Sequence, residues 1–363
     1  MGTMTDYIER AFEDDGRTSP FSPKFALLGL SKVYGALGRA KRAAYEKGLL
    51  EEKRLPAKVV AIGNLTAGGT GKTPMTLFAA RWFQQKGAGV VIVSRGYGGS
   101  LSKRGAVVSD GDAVFLSPHE AGDEPVMMAE QLPGVPVVIG SDRVAAGMEA
   151  CDRFRPDVVI LDDAYQHIRL ARDLNILLAD GSRPFGNGHV LPRGPLREPL
   201  SALSWADAVV LTRAGQGDVH GFSGHLPEEL RGMVASLPVL SSTHRASLVD
   251  GTGRPVSPDE LGPVFLFSGI AKNHAVEEGA EKLGVTIAGR CFFGDHHSYT
   301  EAEVAALEAR ARSCGASVLL TTDKDRVKVR TMASMPLATI MVSIEFDQDL
   351  PAVTALLESL IRQ

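Results

Sequence analysis

The stretch Val59-Val60-Ala61-Ile62-Gly63-Asn64-Leu65-Thr66-Ala67-Gly68-Gly69-Thr70-Gly71-Lys72-Thr73-Pro74 decides the fold class. Its first four residues are apolar and mostly β-branched, as in a buried strand, and the glycines that follow cannot prolong one. A helix over 73–86 comes next. Backbone N–H groups converge on anionic oxygens only where side chains leave room, and a helix N-terminus adds about half a positive charge. Gly68, Gly69 and Gly71 give the room. Thr66, Ala67, Gly68, Gly69, Thr70, Gly71, Lys72, Thr73 and Pro74 are therefore expected around the phosphates of a nucleotide. In that arrangement Lys72 reaches the β- and γ-phosphates and the Thr73 hydroxyl ligates Mg²⁺. Thr66 stands where a strict G-x4-G-K-[ST] pattern has its first glycine, yet a merely flexible turn does not explain Gly-Lys-Thr opening a helix.

A nucleotide loop of this kind also needs an acidic residue at the end of a neighbouring apolar strand to hold the metal. Val158-Val159-Ile160-Leu161-Asp162-Asp163 has that form, and either carboxylate suits the role. Further apolar runs at 90–93, 135–139, 175–178 and 208–211, with helices over 120–131 and 143–154, give the βα alternation of a mostly parallel sheet with helices on both faces. The Pro/Gly-rich passage 183–199 reads as an ordered loop. Beyond a boundary near Thr243, strands over 264–267, 318–320 and 339–342 and helices over 272–283, 301–312 and 351–361 predict a second, smaller α/β domain. The expected division is an extension over 1–23, a basic helix over 24–50, a P-loop core over 51–243 and a C-terminal domain over 244–363.

Two clusters suit proton transfer. A sugar or lipid hydroxyl is a poor nucleophile at neutral pH, so a carboxylate or imidazole placed to take its proton assists attack. Asp123 in Gly122-Asp123-Glu124-Pro125 and the histidines of Asp295-His296-His297 are candidates, against ordinary readings as a turn and as solvated side chains. Arg95, Arg143, Arg193 and Arg197 could clamp an anionic substrate, or be surface arginines.

The helix over 24–47 places Leu27, Leu30, Val33, Tyr34 and Leu37 on one side, with Lys24, Lys32, Arg39 and Arg42 roughly opposite. That pattern fits an interfacial helix lying on a membrane, or a surface helix packed on its own domain. No uncharged apolar run approaches the roughly 20 residues of a membrane span, and residues 1–19 lack the apolar core of a secretory signal. With 44% hydrophobic and 23% charged residues the chain is of globular type, and a net charge of −4 gives no sign of nucleic-acid binding. Three scattered cysteines, in no ligand spacing, point to a reducing compartment such as the cytoplasm. Nothing calls for an obligate protein partner.

Read together, these blocks resemble the tetraacyldisaccharide 4'-kinase (lipid A 4'-kinase) family. The resemblance rests on 63–74, Ser-Arg-Gly-Tyr-Gly at 94–98, Gly-Asp-Glu-Pro at 122–125, Asp-Asp-Ala-Tyr-Gln-His at 162–167, Leu-Pro-Arg-Gly-Pro-Leu-Arg-Glu-Pro at 191–199, Asp-His-His-Ser-Tyr-Thr at 295–300 and Thr-Thr-Asp-Lys-Asp at 321–325. It implies a P-loop kinase that uses ATP and Mg²⁺ to phosphorylate the 4'-hydroxyl of a tetraacyl disaccharide 1-phosphate, giving lipid IV-A, from the cytoplasmic face of the bacterial inner membrane. It implies a membrane-facing N-terminal helix, Asp123 as general base paired with a histidine, most naturally His296, and Lys72 in catalysis. Glu124 joins Thr73, Asp162 and Asp163 near the metal, and Arg95, Tyr97, Arg143, His167, Arg193 and Arg197 fall in blocks near substrate or nucleotide. Ala164 departs from the glycine usual after the acidic pair, which matters if that position needs φ > 0. With Asp123 in the core and His296 in the C-terminal domain, the pair would form only on domain closure. The main rival is a membrane-associated partitioning or targeting ATPase, whose signature lysine before the glycine pair is here Ala67. A soluble metabolite kinase would leave the basic amphipathic helix unexplained.

Overall fold

In the computed structural model the described residues are residue 12, residues 22–232 and residues 234–361, so most of the expected N-terminal extension lies outside them. The chain forms two compact units. One comprises Met1–Arg95, Asp142–His244 and Ile344–Gln363, the other Gly96–Ser141 and Arg245–Ser343. The linear division at residue 243 is thus crossed twice. Residues 96–141 pack with the C-terminal unit, and the last segment returns to the P-loop unit.

The first unit contains α1 (Pro23–Glu46), β1 (Lys58–Asn64), α2 (Lys72–Gln85), β2 (Val90–Ser94), α4 (Arg143–Phe154), β5 (Val158–Leu161), β6 (Leu174–Asp180), β7 (Ala208–Thr212), the start of β8 (Val239–Val249) and α8 (Leu350–Glu358). Its strands pair in parallel in the order β8-β7-β6-β1-β5-β2. Parallel strands covered on both sides read as continuous apolar runs, and β5, with Val158, Val159, Ile160 and Leu161 all buried, is of that type. Gly63 near the end of β1 is required: a Cβ there would lie 2.7 Å from the backbone nitrogen of Tyr165. That close approach brings the turn after β5 alongside the loop after β1.

The second unit contains β3 (Ala106–Ser109), α3 (Asp123–Gln131), β4 (Val137–Ile139), β9 (Val264–Ser268), α5 (Asn273–Lys282), β10 (Ile287–Phe292), α6 (Glu301–Ser313), β11 (Val318–Thr322), α7 (Asp323–Val329) and most of β12 (Leu337–Glu345). Strands β10-β9-β11-β12 run parallel, and β3 pairs antiparallel with β4. The helix expected over 120–131 is broken at Gly122, whose φ is 90°. A Cβ there would meet the Tyr97 carbonyl oxygen at 2.4 Å, so only glycine fits. The break makes Asp123 the first residue of α3.

Helix α1 forms where expected but docks in an unexpected way. Buried Ser31, Gly35 and Arg42 face the unit, while Leu30, Val33 and Leu37 are 59%, 60% and 66% exposed. The Ser31 hydroxyl donates to the Val190 carbonyl. Gly35 lets the helix approach, since a Cβ would sit 3.3 Å from Val190 Cγ2. Arg42 is not a solvated cation: its Nε donates to Glu198 at 3.2 Å and its guanidinium lies over the Tyr165 and Trp205 rings. The apolar stripe therefore does not pack on its own domain.

Candidate phosphate and base sites

The loop after β1 is held from one side by the 183–199 loop. Ala67 N–H donates to the Pro195 carbonyl at 2.7 Å and Arg197 N–H to the Leu65 carbonyl at 2.6 Å. Thr66 bridges to Leu196. Ala67, expected among the phosphate-binding residues, has its N–H committed to Pro195 and offers nothing to an anion. Gly68 (φ 114°) and Gly71 (φ 79°) take conformations suited to glycine, and no atom lies within 4 Å of a Cβ placed on Gly68 or Gly69. α2 then starts at Lys72 with Gly71 as its cap and no capping side chain, so its first N–H groups are available to a ligand. Pro74, in the first turn, has no N–H to leave unpaired. Lys72 Nζ sits 3.5 Å from the Gly68 carbonyl oxygen and 3.8 Å from Asp163 Oδ1. The Thr73 side chain is buried, and the Thr70 hydroxyl is buried without a hydrogen bond.

The two carboxylates after β5 differ. Asp162 is buried and accepts from the Thr76 hydroxyl at 3.1 Å and the Ser94 hydroxyl at 3.0 Å. Asp163 takes φ 46° and accepts from Arg197 Nη1 at 2.9 and 3.1 Å. Burial works against its charge, but Lys72 and Arg197 hold its carboxyl below the ordinary value. The left-handed residue is Asp163 itself, so Ala164 in place of glycine causes no strain. A hydroxyl from Thr73 and oxygens from this pair fit Mg²⁺, which keeps waters and phosphate oxygens and takes one or two protein ligands.

Of the basic residues expected at the site, Arg143 is buried, donates to the Asp162 carbonyl at 3.4 Å and is lowered by desolvation to about 10. His167 is lowered to about 4, first by burial and then by Arg143, Arg172 and Arg95, and is neutral. Arg197 is engaged with Asp163. Arg193 is 1% exposed, which does not suit a surface clamp; its carbonyl accepts from Asn187 at 3.2 Å within the 183–199 loop.

Asp123 and His296 both belong to the second unit, with His296 Nδ1 3.3 Å from Asp123 Oδ2. Closure between units is therefore not needed to form the pair. His296 has φ 56°, and its ring lies 5.5 Å from that of Tyr97, measured between centroids. His297 turns elsewhere, stacked on Phe293 at 4.4 Å and 3.2 Å from Glu303 without the alignment of a hydrogen bond. Lys328, which the sequence reading did not single out, puts Nζ 3.3 Å from Asp123 Oδ2 and 2.9 Å from Asp325 Oδ1. Only its place in α7, one turn after the Thr-Thr-Asp-Lys-Asp block, hinted at it. Glu124, expected near the metal, is instead paired with Lys324 in the same unit.

The model of the family "Tetraacyldisaccharide-1-P 4'-kinase" matches residues 23–362. A tetraacyldisaccharide 4'-kinase of Desulfatibacillum aliphaticivorans is 41% identical over 333 residues, covering 88% of each chain. One from Geobacter metallireducens is 46% identical over 311 residues, covering 85% of this chain and 90% of the relative. The crystal structure of LpxK from Aquifex aeolicus in complex with ATP aligns with a TM-score of 0.75 at 30% identity, covering 93% of this chain and 99% of that one.

Proposed function

Because the chain belongs to the tetraacyldisaccharide 4'-kinase family, we propose that it uses Mg²⁺-ATP to phosphorylate the 4'-hydroxyl of a tetraacyl disaccharide 1-phosphate, giving lipid IV-A. The observation that carries the chemistry is the Asp123–His296 pair, formed in one unit at 3.3 Å. A carboxylate at this position takes the proton of the acceptor hydroxyl as its oxygen attacks the γ-phosphorus and the bond to ADP breaks. His296 orients that carboxylate, and Lys328 reaches the same oxygen. On the nucleotide side, the N–H groups of Gly68–Thr73 and the Lys72 ammonium take the phosphates, with Arg143 and Arg197 setting the electrostatics around Asp162 and Asp163. Mg²⁺, when bound, supplies positive charge that neutralises the β- and γ-phosphate oxygens, and Thr73, Asp162 and Asp163 are the oxygens suited to hold it.

The switch-type ATPase reading is disfavoured by Ala67, which stands in the signature-lysine position and is tied to Pro195. Among the described residues no helix is long and apolar enough to cross a membrane. The outward stripe of α1 supports reversible attachment to a lipid surface, which we assign to the cytoplasmic face of the inner membrane. Incubation with ATP, Mg²⁺ and the disaccharide 1-phosphate in detergent should add one phosphate by mass spectrometry. An unchanged mass with folded protein would refute the assignment.

A further inference from the structure

Beside the phosphate loop, at Gly69 and Gly71 rather than at the residues held by the 183–199 loop, lies a cluster that the reaction scheme leaves unused. Arg213, directly after β7, has φ 57°, a conformation that costs a non-glycine residue energy and persists where its surroundings enforce it. Its Nη2 donates to the Gly69 carbonyl oxygen at 3.1 Å, and its Nε donates to Asp180 Oδ2 at 3.2 Å. Asp180, the last residue of β6, also accepts from the Ser182 hydroxyl at 2.7 Å and the Ser182 N–H at 3.0 Å. Next to it, a Cβ on Gly71 would lie 2.6 Å from His244 Nε2. The imidazole therefore rests on the backbone of Gly71. Burial and then Arg213 lower His244 to about 4, so it adds no charge at neutral pH.

In a trans peptide the C=O and the next N–H point in opposite directions. A charged donor that captures the Gly69 carbonyl thus fixes the Thr70 N–H pointing away from Arg213, free to meet a phosphate. We propose that Arg213 is a positioning residue for the phosphate loop, fixed by Asp180 and acting through the Gly69 carbonyl. The proposal rests on the reading of 66–74 as the ATP site. Its expected signature is a loss of affinity for phosphates as such, because the nucleoside plays no part in the argument.

The test measures binding of Mg²⁺-ATP and of inorganic tripolyphosphate by calorimetry to the parent, Arg213→Ala, Arg213→Lys and Asp180→Asn proteins, with thermal melting of each. Arg213→Ala should weaken both ligands about tenfold and by the same factor, the scale of one charge-assisted hydrogen bond. Arg213→Lys should restore part of the loss. Asp180→Asn, which leaves the loop itself untouched, should weaken both ligands several-fold. Hydrogen exchange of 68–72 in ligand-free protein should quicken in Arg213→Ala. Loss of ATP affinity with tripolyphosphate affinity kept would overturn the proposal and make Arg213 a nucleoside contact. Unchanged binding in Asp180→Asn beside a large loss in Arg213→Ala would equally overturn it, by making Arg213 a direct phosphate ligand. If the parent binds neither ligand, the failure lies with the ATP-site reading instead.

Discussion

At the residue scale, the proposed chemistry turns on the oxygen of Asp123 that faces both His296 and Lys328. Asp123→Ala should lower kcat by roughly 10²–10⁴, the range for losing a general base, with ATP affinity little changed. Single-turnover kinetics would check it, and an unchanged kcat would remove Asp123 from the mechanism. A second prediction concerns acid. His167 and His244 are each lowered to about 4, in both cases first by burial. Unfolded histidine titrates near ~6.5, so between these values the unfolded chain binds more protons than the folded one. Stability is therefore full above the unfolded value and falls as pH drops toward the folded one. His167→Gln with His244→Gln should recover ~1–2 kcal/mol per site at a pH of about 5 relative to neutral, by urea titration at both pH values, if Gln packs equally well. These residues also mark what a sequence discloses. Asp123 and His296 stand out because short motifs surround them. Lys328 sits in a charged run and Arg213 follows an apolar strand outside any motif, and only the chain's path through space gives them a target.

At the element scale, α1 has one docked face and one exposed apolar face. Its period and ends are legible from sequence, but which face docks is not, because that depends on Gly35 fitting Val190 and on Glu198 waiting for Arg42. Leu30→Glu with Leu37→Glu should leave the melting temperature unchanged, since both side chains are exposed, and should weaken binding to anionic vesicles in a flotation assay. Equal vesicle binding would rule α1 out as the contact. β10 and α7 are the converse case. β10 has no fully buried residue and contains Gly289, while α7 reads Asp-Lys-Asp-Arg-Val-Lys-Val and is secured by ion pairs, so neither shows a clear apolar period.

At the scale of the whole molecule, each unit is assembled from separated stretches of sequence. A linear reading that sees one boundary near residue 243 cannot detect this, because returns of the chain leave no compositional mark. In the second unit, α3 is fastened to α7 by half-buried Glu130, which pairs with Arg326 and, at 2.8 Å, with Arg330. The same helix pair presents Asp123 to Lys328. Glu130→Ala should cost about 1–2 kcal/mol, mainly by leaving the part-buried Arg326 guanidinium unpaired while the exposed Arg330 stays solvated, with a matching fall in melting temperature. A melting temperature equal to the parent's would mean that apolar contacts alone hold α3.

The late return of the chain has a further consequence. In the first unit the tilted rings of Phe78 and Phe346 lie 5.0 Å apart between centroids, and the Ser241 backbone N–H donates to Asp349 at 2.7 Å. During translation Phe78 leaves the ribosome about 270 residues before Phe346 arrives, roughly 15–50 s at ordinary synthesis rates. Through that interval the parallel sheet waits without its closing helix, and chaperone dependence should be read in nascent chains halted before residue 344 rather than in the finished protein.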